Sequence, residues 1–175
     1  MIIISIGANL DIHDKSTKYQ TCQQALDYLE KNHICQIIQT SDWYQTTAWP
    51  DSYKPAYINA VAQVEPYTTN PRIFLQELHK IEAYFGRERN ERWGDRTLDL
   101  DLLIWNDYTT ENHDTLQDIA IPHPRILERY FVLIPLAQIA PNLIIPNTQL
   151  TCKEYADKLD YNPDDIQIYK KASLS

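Results

Sequence analysis

The stretch Arg96-Thr-Leu-Asp-Leu-Asp-Leu-Leu103 constrains this chain more than any other. Read with a period of two it is a strand: Leu98, Leu100 and Leu102 point to one face, Asp99 and Asp101 to the other. The leucine face needs an apolar cover. The other face holds two carboxylates roughly 6.5–7 Å apart at their Cα atoms, which repel each other. Strands disfavour Asp, and a buried carboxylate without a partner is costly. A solvated edge strand is the ordinary resolution. The chemical one is a hard divalent cation, because Mg²⁺ takes one or two carboxylates and completes its shell with phosphate oxygens and water.

The flanks favour the second. Arg87, Arg89, Arg92 and Arg96 precede the pair, set against only Glu88, Glu91 and Asp95. Guanidinium groups match phosphate geometry, so this run can hold a polyphosphate beside its metal. Trp93, among those arginines, either anchors the loop or offers its face to a flat ligand. His123 is held between prolines in Ile121-Pro-His-Pro-Arg125, with Arg129 close behind. A lone His is usually structural, but two neighbouring arginines make a phosphate contact reasonable. Asn59 lies on the polar side of an alternating strand, where an amide can both donate to and accept from a heterocycle edge.

The rest of the composition narrows the class. With 175 residues and 43% hydrophobic content the chain can bury a core of its own, as one domain. A net charge of −8 argues against broad contact with a nucleic-acid backbone. Cys22, Cys35 and Cys152 are odd in number and far apart, which argues against a disulfide framework or a cysteine zinc site and suits a reducing cytoplasm. The opening Met1–Gly7 is apolar but short and has no basic leader, so it reads as a strand; no apolar run approaches the ~20 residues of a membrane span. Gly7, Gly86 and Gly94 are the only glycines, so any nucleotide is held without a glycine-rich phosphate loop.

Along the chain, Ile2–Ile6 reads as a buried strand ending at Gly7. Ser16 is placed to cap a helix reaching about Lys31, with Tyr19, Cys22, Leu26 and Leu29 on one face. Cys35–Tyr44 reads as a strand, Thr46–Pro55 as a long loop, and Tyr57–Glu65 as an alternating strand. Asn70-Pro71 starts a helix whose Phe74, Leu78, Ile81 and Phe85 share a stripe and which Gly86 stops. Leu98–Trp105 is the next strand. Short helices follow, at Arg129–Ile139 and from Thr151, where Thr-x-x-Glu154 is a capping box. The order strand, helix, strand, strand, helix, strand predicts an α/β (α+β) fold of ferredoxin-like βαββαβ type, with helices on one face of the sheet and extra C-terminal elements.

These residues together resemble the 6-hydroxymethyl-7,8-dihydropterin pyrophosphokinase family of folate biosynthesis. The resemblance is carried by Ile6-Gly-Ala-Asn-Leu10, Tyr44-x-Thr46, Tyr57-Ile-Asn-Ala-Val61, Gly86-Arg-Glu-Arg89, Arg92-Trp-Gly-Asp-Arg-Thr-Leu-Asp-Leu-Asp101, Pro122-His-Pro-Arg125 and Arg129-Tyr-Phe-Val-Leu133. It implies transfer of the terminal diphosphate of ATP to the hydroxymethyl oxygen of the pterin, releasing AMP. It implies two Mg²⁺ ions on Asp99 and Asp101, with Arg87 and Arg96 engaging the transferring phosphates. Arg89, Arg92, Leu102, His123 and Arg129 match ATP contacts. Thr46, Thr47, Trp49, Tyr57, Asn59, Trp93 and Phe131 match the pterin pocket, Trp93 and Phe131 sandwiching the ring. The implied molecule is a single pyrophosphokinase domain over 1–175, cytoplasmic and monomeric, with ATP and the pterin as its small-molecule partners and neither nucleic acid nor membrane.

Three other readings stay open on the sequence. A nucleotidyl transferase with the same paired-Asp strand would keep AMP on its product. A non-catalytic ferredoxin-like binding module would gain nothing from holding Asp99, Asp101 and Arg96 together. Single-strand nucleic-acid binding suits the aromatics but not the charge.

Overall fold

The computed structural model describes residues 1–12, 15–48, 53–87, 96–110 and 119–170. The elements run β1 (Ile2–Ala8), α1 (Lys18–Lys31), β2 (Cys35–Thr40), β3 (Tyr44–Thr46), β4 (Tyr57–Pro66), α2 (Pro71–Tyr84), β5 (Asp99–Trp105), α3 (Tyr130–Ile139), α4 (Cys152–Lys158), a 3-10 turn at Pro163–Asp165, and β6 (Ile166–Ile168).

Local chemistry sets most of the boundaries. Asn70 caps α2 by accepting from the backbone N–H groups of Arg72 and Ile73, and Pro71 occupies the first turn. At the other end Gly86 takes a φ of +82°, the left-handed conformation that stops the helix. Thr151 and Glu154 form the expected reciprocal cap on α4. The cap of α1 falls one residue later than expected, on Thr17 instead of Ser16. The reason is the partner three residues on: Gln20 can return a hydrogen bond to Thr17, whereas Tyr19 could return none to Ser16. The Ser16 hydroxyl shares a hydrogen bond with Thr21 instead.

The strand expected over Cys35–Tyr44 is two strands. Ser41 breaks it: its backbone N–H donates to Val61 O at 2.9 Å, while its Oγ accepts from Val61 N at 3.0 Å. That side chain takes the place of the next backbone carbonyl, and the ladder resumes only at Tyr44. Thus β2 and β3 lie end to end along the same edge of β4.

All pairings are antiparallel, in the order β5-β1-β4, then β3 and β6, with β2 beside β4. This is the ferredoxin-like arrangement with an additional strand at its rim. One face packs Ile4, Ile6, Ala62, Leu98, Leu100 and Leu102 against Cys22, Ala25 and Leu29 of α1 and Phe74, Leu78 and Ile81 of α2. The opposite face sets Ile3, Val61 and Leu103 against Val132, Leu133 and Leu136 of α3 and Cys152 of α4. The C-terminal helices therefore cover the second face that a bare βαββαβ unit leaves open. β4 is buried on both sides as a result: Ala60 and Val61 are each essentially inaccessible. No helix among the described residues is long and apolar enough to cross a membrane.

Candidate functional site

The site is built on one row of the sheet. Tyr44, Asn59, Gly7 and Asp99 are successive cross-strand partners on β3, β4, β1 and β5. Asp101 lies two residues along β5, opposite Ser5. Asn59 and Asp99 are thus two strands apart, roughly 10 Å at their Cα atoms. Gly7 forms the floor between them.

Both aspartates face away from the leucine core, as the period of two predicts, and neither is left alone. Asp99 Oδ2 accepts from Arg96 Nη1. Its Oδ1 lies 2.8 Å from Arg87 Nη1, yet this buried oxygen receives no well-directed hydrogen bond. Asp101 Oδ2 accepts from Arg129 Nη1 at 3.1 Å. The His123 imidazole is further off, its Nε2 at 4.0 Å.

The electrostatics separate the two acids. Burial, then the charge of Asp101, pushes the Asp99 carboxyl above its usual value, against the opposing pull of Arg96 and Arg87. Burial also pushes on Asp101, but His123, Arg129 and Arg96 outweigh it and hold that carboxyl below the usual range. Burial lowers the His123 pKa, Arg129 and Arg125 lower it further, and Asp101 opposes them. His123 Nδ1 accepts from Arg125 N at 3.1 Å, which places the ring proton on Nε2, toward Asp101.

Backbone and buried polar groups hold these side chains in place. Asn9, 2% exposed, clamps Arg96: its Oδ1 accepts from Arg96 N at 2.6 Å, and its own N donates to Arg96 O at 3.0 Å. Glu82, 1% exposed at the end of α2, pairs with Arg87 and accepts from Leu100 N at 2.8 Å. One carboxylate thus joins the helix, the arginine and the strand of aspartates. The His123 backbone N donates to Leu103 O at 2.9 Å, which fixes the Pro-His-Pro turn against β5. Neither Asn9 nor Glu82 stands out as a site residue in the sequence. The signal for Glu82 is a charge on the apolar stripe, four residues beyond Leu78.

On the β3–β4 side of the row, Asn59 Nδ2 donates to Thr46 Oγ1 at 2.7 Å, a buried bond between β4 and β3. Thr46 accepts with its oxygen, so its O–H is the donor it can offer a ligand. Tyr57 pairs with Thr46 in register. Phe131, at the start of α3, lies under the Arg129 guanidinium, 5.7 Å from its ring centre. The Thr47 carbonyl accepts from Tyr130 Oη at 3.4 Å.

The structure brings together Arg87, Arg96, Asp99, Asp101, His123 and Arg129, and joins Asn59 to Thr46. It does not bring the Leu102 side chain to them; that leucine is 4% exposed, in the core under α1 and α2. Trp49, Arg89, Arg92 and Trp93 lie outside the described residues. Among the described residues no three His, Cys, Asp or Glu side chains gather to hold a metal on their own. The donor set fits a hard cation all the same. It supplies oxygen ligands from two carboxylates, one oxygen of which lacks a hydrogen bond, and cationic neighbours able to hold the phosphates that would complete the shell.

The comparisons with known proteins point the same way. The chain is 34% identical over 157 residues to the 2-amino-4-hydroxy-6-hydroxymethyldihydropteridine pyrophosphokinase of Haemophilus influenzae, covering 88% of this chain and 92% of that protein. It is 30% identical over 170 residues to the protein of the same name from Bacillus subtilis, covering 97% of this chain and 90% of that one. Among solved structures, wild-type HPPK-DHPS of Plasmodium falciparum superposes with a TM-score of 0.68 at 15% identity, over 90% of this chain and 40% of that chain. The chain thus spans about two fifths of that longer protein, and the likeness there is one of fold. Residues 3–141 match the family model of 7,8-dihydro-6-hydroxymethylpterin-pyrophosphokinase (HPPK), and the chain belongs to that family.

Proposed function

We propose that this chain transfers the terminal diphosphate of ATP to the hydroxymethyl group of 6-hydroxymethyl-7,8-dihydropterin, releasing AMP, with two Mg²⁺ ions held by Asp99 and Asp101. The reaction class comes with the family. The placement of the chemistry rests on one observation: two carboxylates on one sheet face, ringed by Arg87, Arg96 and Arg129 and set across Gly7 from the Asn59–Thr46 pair.

In this reading the arginines exchange partners. Without nucleotide they neutralise the aspartates. When a polyphosphate arrives, Arg87 and Arg96 turn their charge to the phosphate oxygens, where negative charge accumulates during transfer. Arg129 and the His123 Nε2–H grip the nucleotide's phosphates from the other side. Magnesium, when bound, neutralises the polyphosphate together with the freed carboxylates. Asn59 and Thr46 hold the edge of the pterin, and Phe131 with Trp93 covers its faces. Fixing the hydroxymethyl oxygen in line with the phosphate chain is the protein's main contribution, since effective molarity alone can be worth about 7–11 kcal/mol. The reading takes residues 1–175 as one domain, monomeric and cytoplasmic; three free, buried thiols suit a reducing compartment.

The test is calorimetry with a non-hydrolysable ATP analogue and the hydroxymethyl pterin, with and without Mg²⁺, followed by identification of the adenine nucleotide formed in turnover. Mg²⁺-dependent ternary binding and free AMP are expected. AMP retained on the product, or binding indifferent to Mg²⁺, defeats the reading.

A further inference from the structure

Residues 142–170 lie beyond the family match, yet part of this tail packs against the acceptor side of the site. Tyr161 lays its ring on Tyr130, with centroids 5.5 Å apart and planes 14° from parallel. Tyr130 meets Phe131 edge-on at 5.5 Å and 86°. The Tyr130 hydroxyl donates to Thr47 O, and Thr47 N donates to Asp165 O at 3.0 Å. From there β6 runs along β3, with Ile166 opposite Thr46. Two tail residues, Tyr161 and Asp165, therefore close a circuit through Tyr130 and Thr47. A cavity of about 250 Å³ lined by Arg129, Phe131 and Tyr161 adjoins the stack.

We propose that Tyr161 is a positioning residue for the pterin acceptor: by stacking on Tyr130 it fixes the ring of Phe131 and the Thr46–Thr47 segment that receive the pterin. The inference rests on the acceptor site proposed above. Offset and edge-on aromatic pairs have preferred geometries, so a ring locked on one side transmits its orientation to the next. Phe131 has no polar atom to set its rotamer. Its neighbours do so: Tyr130 at its edge and the Arg129 guanidinium over its face. The Tyr130 hydroxyl remains protonated, as its donor role requires, because burial and then the Asp165 charge raise its pKa. Without Tyr161 the cavity would extend along Tyr130, and the ring pair could turn into it.

The test titrates the fluorescent oxidised pterin, 6-hydroxymethylpterin, into wild type, Tyr161→Ala and Tyr161→Phe, each saturated with an ATP analogue and Mg²⁺. Analogue affinity and thermal midpoint are measured in parallel. Tyr161→Ala is expected to weaken pterin binding by about fivefold while analogue affinity stays within about twofold, and Tyr161→Phe, which keeps the ring, should match wild type. In turnover the pterin KM rises and kcat holds. Pterin binding by Tyr161→Ala equal to wild type overturns the proposal. So does equal weakening of both ligands, which marks general loosening, and so does failure of Tyr161→Phe to rescue. A wild type that ignores the pterin overturns the functional reading, and this proposal with it.

Discussion

A Cβ atom on Gly7 would stand 2.6 Å from Oδ1 of Asn59. Real Cβ atoms do not approach that closely, and the Asn59 amide is tied to Thr46 on its other side. Gly7→Ala is therefore expected to dislodge the amide while leaving the strand ladder intact. Pterin affinity should fall by about 1–3 kcal/mol, the cost of an unmade buried hydrogen bond. Pterin titration beside urea unfolding checks this; unchanged affinity would remove Asn59 from the acceptor site.

Asp101→Ala should cost turnover about a hundredfold or more, since metal neutralisation of a phosphoryl group is worth several kcal/mol. The fold should survive, because Arg129, the partner left behind, is 19% exposed and can reach water. AMP release and circular dichroism are the measurements. Activity within about threefold of wild type would refute the metal role.

Glu82 separates a charge from a hydrogen bond. Glu82→Gln keeps an oxygen for Leu100 N–H but gives up the ion pair with Arg87. Glu82→Ala leaves that buried N–H without its acceptor, at about 1–3 kcal/mol. Urea unfolding should rank the alanine variant clearly below the glutamine one. Equal loss in both would mean that charge alone matters there.

Burial pushes the thiols of Cys22 and Cys35 up to about 12 and that of Cys152 to about 11, from an ordinary value of 9.0. At pH 8 the folded protein should thus resist a thiolate reagent such as iodoacetamide, and all three cysteines should react once urea unfolds it. The sign for stability follows. The neutral thiols favour the fold fully below about pH 9, and that contribution fades as pH rises toward 12. Rapid labelling of the native protein at pH 8 would contradict this.

What could be read from sequence was what local chemistry decides. Asn70-Pro71, Gly86 and the Thr151–Glu154 box mark helix ends because each acts on its own backbone. The Asp99–Asp101 face was legible because a strand's period is fixed. What escaped is settled between distant segments. Ser41 breaks a strand only because Val61 is beside it. Pairing of β6 with β3 joins residues more than a hundred positions apart, with three-residue strands too short to signal themselves. Arg129 reaches Asp101 through the packing of α3, which no spacing announces. The displaced α1 cap shows the same limit at short range: Ser16 and Thr17 are both able caps, and the side chain three residues on decides between them.

The buried carboxylate against β5 also bears on how the molecule keeps to itself. β5 ends the sheet, and the outward N–H of an end strand is an invitation to pairing by a foreign chain. Glu82 occupies the Leu100 N–H from within, and β6 at the far rim is only three residues long. At that position the donor is already taken, so the segment that carries the aspartates offers a stray strand one hydrogen bond fewer.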